Sequence, residues 1–261
     1  MEEEAEFGLR SALLELLRKH EQAQQGVDFS FHEAALLDGL VVAGMPFQPF
    51  YRAALERSGT QVPPWKRLRR AQRAYQLARY AEASAGVAGN RVECGVLRGL
   101  SALLVASTLR AADRAFDGKG LFLVDSFEGL SAMHPADAVA KSTFSMRQGD
   151  FGNTSVEHVR GVMADYPGCE ILKGWIPQVL QTLPECEWAF VHLDVDLYAP
   201  TRGALEYFLP RLADGAVVVN DDYASPAFPG AGQAWDECMS ERKLPFAVLD
   251  SGQAVFVNRI S

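Results

Sequence analysis

The chain is poor in the features that mark disulfide-stapled, zinc-bound or membrane proteins. Among its 261 residues are only four cysteines, Cys94, Cys169, Cys186 and Cys238. They are widely separated and form no Cys-x-x-Cys pair, so neither a zinc site nor a disulfide framework is indicated, and they read as packing residues. No apolar run approaches the length of a membrane span. The opening Met-Glu-Glu-Glu-Ala-Glu carries acid where a secretory signal would carry positive charge, so a cytoplasmic protein is expected. Positive charge is itself scarce: 25 Lys and Arg face 33 Asp and Glu, a net charge of −8. That balance gives no general electrostatic case for nucleic acid or anionic lipid as a partner, and points to small-molecule chemistry. Internal repeats and low-complexity linkers are also missing. What is abundant is apolar surface: 48% hydrophobic residues suffice for a substantial core.

Two regions differ in texture. Residues 1–88 read as a helical extension, and residues 89–261 as a domain of alternating strands and helices. In the first, Leu9, Leu13, Leu16 and Leu17 mark one helical face, and Phe31 to Val42 is a second apolar stretch ended by Gly44 and Pro46. After Pro63 and Pro64, the run Trp65-Lys-Arg-Leu-Arg-Arg-Ala-Gln-Arg-Ala-Tyr predicts a helix with Trp65, Leu68, Tyr75 and Ala78 turned inward. Its arginines read as a solvated face whose aliphatic stems cover the core; a patch that reads an anion is the alternative.

From Gly89 onward, strands are expected at Arg91–Cys94, Leu121–Val124, Cys169–Leu172, Trp188–Leu193 and Ala216–Val219. Helices are expected near 101–114 and 155–166, and a long polar segment spans 131–154. Such alternation predicts an α/β fold with a doubly wound, mostly parallel sheet. Phe246 to Asn258 carries two β-rich runs across Ser251-Gly-Gln, which suggests a closing antiparallel hairpin. Four acids follow two of the apolar strands: Asp194 and Asp196 after Leu193, then Asp221 and Asp222 after Asn220. In open α/β sheets ligands bind at that edge. Acids so close together repel unless a cation or shared proton relieves them, and all-oxygen ligand sets suit hard ions such as Mg²⁺.

The first strand runs into Glu93-Cys-Gly-Val-Leu-Arg-Gly-Leu-Ser, ending at Ser101. Gly95 and Gly99 permit a tight turn and a close approach to a ligand, and the following helix offers free N–H groups. The spacing is not Gly-x-Gly-x-x-Gly, and no Walker lysine is present. The second strand ends in Asp125-Ser126, an acid placed to accept from two ribose hydroxyls. Trp175, in Lys-Gly-Trp, offers a plane on which an adenine could stack. A glycine loop and a second-strand acid together imply a nucleoside ligand.

These motifs, Val92-Glu-Cys-Gly-Val-Leu-Arg-Gly, Val124-Asp-Ser-Phe-Glu-Gly-Leu, Asp194-Val-Asp-Leu-Tyr-Ala-Pro-Thr and Asp221-Asp-Tyr, resemble in this order those of the macrocin O-methyltransferase family. The resemblance runs from about Val62 to Asn258. It implies a seven-stranded, Rossmann-like class I methyltransferase that uses S-adenosylmethionine and Mg²⁺ to methylate a hydroxyl of a deoxysugar or other natural product. It further implies that Glu93, Gly95 and Ser101 surround the methionine portion of the cofactor, and that Asp125 and Ser126 hold its ribose. Asp194, Asp221 and Asp222 become the metal ligands and Asp196 the general base. A small-molecule acceptor, and a homodimer or higher homo-oligomer, go with it. Read from the residues alone, His192 is a second candidate base against a packed histidine. A nucleotide-sugar glycosyltransferase, an aspartyl-phosphate phosphatase and a non-catalytic methyltransferase-like binding protein stay open beside the family reading.

Overall fold

A computed structural model of the protein describes residue 37 and residues 39–138 and 146–259. The leucine face at residues 9–17 and most of the 31–42 stretch lie outside the described residues. Among the described residues, a short hairpin over residues 41–46 leads into two helices, α1 (Phe47–Ser58) and α2 (Arg67–Ala83). Then follow β1 (Asn90–Cys94), α3 (Leu100–Ala112), β2 (Leu121–Asp125), α4 (Val156–Val162), β3 (Glu170–Lys173) and β4 (Trp188–Leu193). The chain continues through α5 (Tyr198–Phe208), β5 (Leu212–Asn220), α6 (Pro229–Arg242), β6 (Ala247–Val248) and β7 (Ala254–Val257).

The seven strands form one sheet in the order β3-β2-β1-β4-β5-β7-β6. Pairings among β1 to β5 are parallel, and β7 runs antiparallel to both β5 and β6. This is the expected doubly wound sheet with its closing hairpin. Side chains alternate across it as a sheet covered on both faces requires. On β2, Leu121 and Leu123 join the core beneath α1, α2 and α3, while Phe122 and Val124 join the core beneath α5 and α6. Every residue of β4 is buried, which is why its apolar run was continuous rather than alternating.

Three local expectations change. Val41–Val42 pairs antiparallel with Met45–Pro46, because Ala43 and Gly44 both adopt positive φ, 49° and 75°, and so close a hairpin where a helix was expected. The inward face of α2 is Ala71, Ala74, Leu77, Ala78 and Ala81, whereas Leu68 and Tyr75 are half-buried. Small residues on that face let α2 lie close against α3. Finally, α4 stops at Val162, short of the expected Tyr166.

Strand order reverses between β1 and β4, the place where such sheets open a crevice at their carboxyl ends. The backbones converge tightly there: Asp194 N donates to Cys94 O at 2.8 Å and Asp221 N to Leu193 O at 2.8 Å. Gly95 has φ 86°, and a Cβ on it would fall 1.9 Å from the Asp194 carbonyl oxygen. Only glycine fits between the two strand ends.

Candidate active site

A cavity of about 320 Å³ opens at this edge and is lined by Gly95, Asp125, Ser126, Trp175, Asp194, Asp196 and Asp222, among others. Residues predicted for a nucleoside and residues predicted for a metal therefore share one space. Four predicted residues, Asp221 among them, do not line it. Gly99 forms the left-handed N-cap of α3 with φ 79°, packed against Val162. Ser101 lines a smaller neighbouring cavity together with His192 and Asp221, and Glu93 is buried beneath the loop.

Asp125 is engaged in folding the loop above it. Its Oδ2 accepts from Val96 N at 2.7 Å and Leu97 N at 3.0 Å, and its Oδ1 accepts from Phe127 N at 2.7 Å. Those bonds hold Leu97 and Phe127 at positive φ, 48° and 54°, a conformation that non-glycine residues adopt rarely. Ser126 Oγ donates to Gly129 O at 2.9 Å and accepts from Glu128 N at 3.1 Å, so its hydroxyl also shapes a turn.

The four acids divide by direction. Carboxylate oxygens of Asp194, Asp196 and Asp222 lie within 4.8 Å of one another, and a second group joins Asp194 to Asp221 and His192. Asp222 faces the large cavity. Asp221 points the other way, toward Arg73, which it pairs with, and toward Gln253, whose Nε2 donates to Asp221 Oδ1 at 2.7 Å. Successive residues at a strand end point to opposite sides, so neighbours in sequence need not share a site.

Asp196 sits in an unusual turn. Its φ is 62°, and Leu197 N donates to Val195 O at 2.6 Å across it, closing a three-residue turn. Such turns are strained and concentrate at functional sites. The Asp196 N–H donates to Asp222 Oδ2 at 3.1 Å, which ties the two acids together.

Electrostatics separate the acids in the same way. Burial, then repulsion from Asp194, pushes the Asp222 carboxyl up to about 8. Burial and neighbouring acids likewise raise Asp194 and, more strongly, Asp196. Burial would raise Asp221 too, but the Arg73 guanidinium and the nearby His192 imidazole outweigh it and hold Asp221 below the ordinary carboxylate range. His192 is buried, with Nδ1 2.9 Å from Glu93 Oε1 and Nε2 3.8 Å from Asp221 Oδ1. Burial would lower its pKa, yet its two acidic neighbours raise it to about 10. Burial also raises Glu93, against the His192 hydrogen bond. Buried and bonded to Glu93 in this way, His192 matches the packed, hydrogen-bonded reading of this residue.

Sequence reasoning missed Arg73 and Gln253. Lys66, Arg69, Arg70 and Arg73 all line the large cavity, so the solvated-face reading of α2 is corrected for these four. The Arg73 side chain is only 17% exposed, and its guanidinium reaches Asp222 Oδ1 at 3.5 Å as well as the carboxylate and carbonyl of Asp221. The i, i+3, i+4, i+7 spacing of the four cations was the available signal, since it puts them on one helix face. Gln253 carried no local signal; the β7 hairpin delivers it.

Three acids held above their usual range, Asp222 buried and Asp194 and Asp196 half-buried, with oxygens close enough to share one ion, fit a hard divalent cation by the chemistry of the donor set. Lowering its neighbours' pKa is what such an ion would do.

Comparisons with known proteins agree with this architecture. The family described as macrocin-O-methyltransferase (TylF) matches residues 62–257. The 8-demethyl-8-(2,3-dimethoxy-alpha-L-rhamnosyl)-tetracenomycin-C 4'-O-methyltransferase of Streptomyces olivaceus is 34% identical over 148 residues, 54% of this chain and 56% of its own. Mycinamicin III 3''-O-methyltransferase of Micromonospora griseorubida is 29% identical over 150 residues, 54% of this chain and 58% of its own. The chain thus spans a little over half the length of these curated relatives. Among solved structures, the O-methyltransferase NovP superposes with a TM-score of 0.61 at 24% identity, over 89% of this chain and all of that one. CalS11, a calicheamicin methyltransferase, gives 0.63 at 19% identity over 84% and 97% of the two chains. At those identities the likeness speaks to the fold. The family match carries more: it begins ahead of α2 and ends with the last residue of β7, and the chain belongs to the macrocin-O-methyltransferase family.

Proposed function

We propose that this protein transfers a methyl group from S-adenosylmethionine to a hydroxyl of a small natural-product or deoxysugar-type acceptor, with the aid of Mg²⁺. The observation that carries the reading is the joining, in one cavity, of the acid triad Asp194, Asp196 and Asp222 to Gly95, Asp125, Ser126 and Trp175. Support for the acceptor class comes from the relatives named above, which O-methylate a rhamnosyl-tetracenomycin and mycinamicin III.

S-Adenosylmethionine supplies an activated methyl group for in-line displacement. Mg²⁺ supplies positive charge that makes a hydroxyl more acidic and fixes its direction. Asp194 and Asp222 are read as ligands facing the cavity, with Asp221 completing the set from behind, braced by Arg73 and Gln253. Asp196 takes the proton from the acceptor hydroxyl. Burial and its acidic neighbours raise its pKa, which makes it a stronger base than an ordinary carboxylate. Gly95, Asp125, Ser126 and Trp175 receive the cofactor, with Glu93, Gly99 and Ser101 shaping the loop behind them. A carboxylate offers about four acceptor positions, and three backbone N–H groups already use Asp125. That leaves it one ribose hydroxyl rather than two. Residues before Gly89 act as the lid and acceptor side of the site.

Calorimetric titration of S-adenosylhomocysteine, with and without Mg²⁺, tests the reading. Binding to the native protein is expected, weakened more than about tenfold in Asp125→Ala, as loss of a hydrogen bond to a charged group implies. Absence of binding under both conditions would overturn the methyltransferase reading in favour of a nucleotide-sugar transferase.

The raised acids make a pH prediction. Protons held by Asp222 up to about 8 must leave before a cation can bind, so Mg²⁺ affinity is expected to climb as pH rises toward that value, with protons released on binding. The stability sign follows from the same shift. Between the ordinary carboxylate pKa and about 8 the folded state holds more protons than the unfolded, so metal-free stability falls as pH rises through that window. Titrations in buffers of different protonation enthalpy, paired with melting curves, check both; a pH-independent Mg²⁺ affinity would refute the assignment.

A further inference from the structure

Leu97 is held on both sides of its Cα. Its N–H donates to Asp125, and its carbonyl accepts from Thr154 Oγ1. The backbone between those two bonds is left-handed, with φ 48°, where a bulky side chain sits at a steric cost. A residue stays in so sparse a region only when its surroundings over-determine it. Asp125 supplies one constraint and Thr154 the other. The place matters because Leu97 lines both the large cavity and the smaller one that holds Ser101 and His192. Any relaxation of this residue reshapes the wall that the two spaces share.

Thr154 is itself well anchored. Upstream, its segment is bonded to the loop after β2: Leu130 N donates to Asp150 O at 2.8 Å and Gly149 N to Leu130 O at 2.9 Å. Downstream, Ser155 caps α4 by accepting from His158 N at 3.1 Å. Within the first turn of α4, His158 Nε2 lies 3.1 Å from Ser58 O, the same carbonyl that accepts from Arg98 Nε at 3.1 Å. The start of α4 is thus joined to the Gly95–Gly99 loop at two successive residues, directly at Leu97 and through Ser58 at Arg98. Of the two links, the bond to Leu97 bears on the left-handed residue itself.

We propose that Thr154 is a positioning residue for the cofactor: with Asp125 it locks Leu97 in the left-handed conformation and so sets the Gly95–Gly99 loop in the form that receives S-adenosylmethionine. This rests on the methyltransferase reading and deepens it. Thr154 lines neither cavity, so it acts through Leu97, and its contribution is preorganisation. A loop already held in its binding form loses less freedom when the ligand arrives. Without the hydroxyl, the Leu97 carbonyl loses its donor, Asp125 alone opposes the steric preference of leucine, and the loop relaxes toward negative φ.

The test is calorimetric titration of S-adenosylhomocysteine into the full chain. Valine has nearly the shape of threonine but no donor, so Thr154→Val is expected to bind about tenfold more weakly, the effect of one lost hydrogen bond. Thr154→Ser restores the hydroxyl and is expected to bind within about twofold of the native protein. A residue that only packs would do the reverse, tolerating valine and not serine. In an Asp125→Ala background Leu97 is already released at its N–H, so adding Thr154→Val should weaken binding by less than about twofold more. Thermal melts establish that each variant is folded, and Thr154→Ala, which also lacks the donor, replaces the valine variant if that one is not. Native affinity without the hydroxyl, no rescue by serine, or the same tenfold loss in both backgrounds would each overturn the proposal. A native protein that does not bind S-adenosylhomocysteine would instead overturn the reading on which it rests.

Discussion

Asp196→Asn is expected to bind S-adenosylhomocysteine and Mg²⁺ as the native protein does, and to turn over about 10²–10⁴-fold more slowly, the usual contribution of a general base. The substitution is well matched to the question. Asparagine tolerates the left-handed conformation nearly as well as aspartate, so the turn closed by Leu197 N and Val195 O should survive, along with the backbone bond to Asp222. What disappears is the capacity to take a proton. Single-turnover rates on any acceptor the native enzyme methylates, together with Mn²⁺ binding followed by electron paramagnetic resonance, separate the possible roles. Near-native turnover would remove Asp196 from the chemistry. A parallel fall in Mn²⁺ affinity would make it a metal ligand instead, which its closeness to Asp194 and Asp222 permits.

Arg73→Met is expected to destabilise the metal-free protein by about 3–5 kcal/mol, the range for removing one partner of a buried ion pair. Methionine retains the aliphatic stem, so the loss reports mainly the charge. Asp221, held below the ordinary carboxylate range with Arg73 as the leading favourable influence, would be left with His192 and Gln253 as its remaining support. Mg²⁺ should then restore more stability to the variant than it adds to the native protein, because an incoming cation replaces the missing one. Denaturant melts with and without Mg²⁺ measure both quantities. A variant as stable as the native protein without metal would show that Arg73 is not the counter-cation of the cluster.

Much of the fold was legible because it is written in local periodicity. Trp188–Leu193 was read to the residue, since a strand buried on both faces must be apolar throughout. The start of β5 was not, because Asp214 and Gly215 interrupt its pattern, and the strand extends back to Leu212 only by pairing with Trp188. Helix α6 was passed over for a related reason. Gly230 and Gly232 weaken its helical signal, yet a Cβ on Gly230 would lie 1.9 Å from Asp137 Oδ1, so tertiary packing demands the residue that local propensity disfavours. In the site, the acids and the glycine loop were visible as motifs. The direction of each acid was not, although strand parity between Asp221 and Asp222 held the clue. Arg73 reaches its partners across 148 positions of sequence, a distance over which no local pattern speaks. Its register with Lys66, Arg69 and Arg70 revealed a common face, but not what that face looks upon.

Arg73 comes from a helix that precedes the first strand of the sheet. The acids it meets come from residues 221 and 222, at the far end of the parallel run. In terms of charge, then, the sheet with its crossover helices is an open circuit: it carries the negative terminals and borrows the positive one from upstream. The smallest stretch of this chain that is electrically closed begins no later than α2.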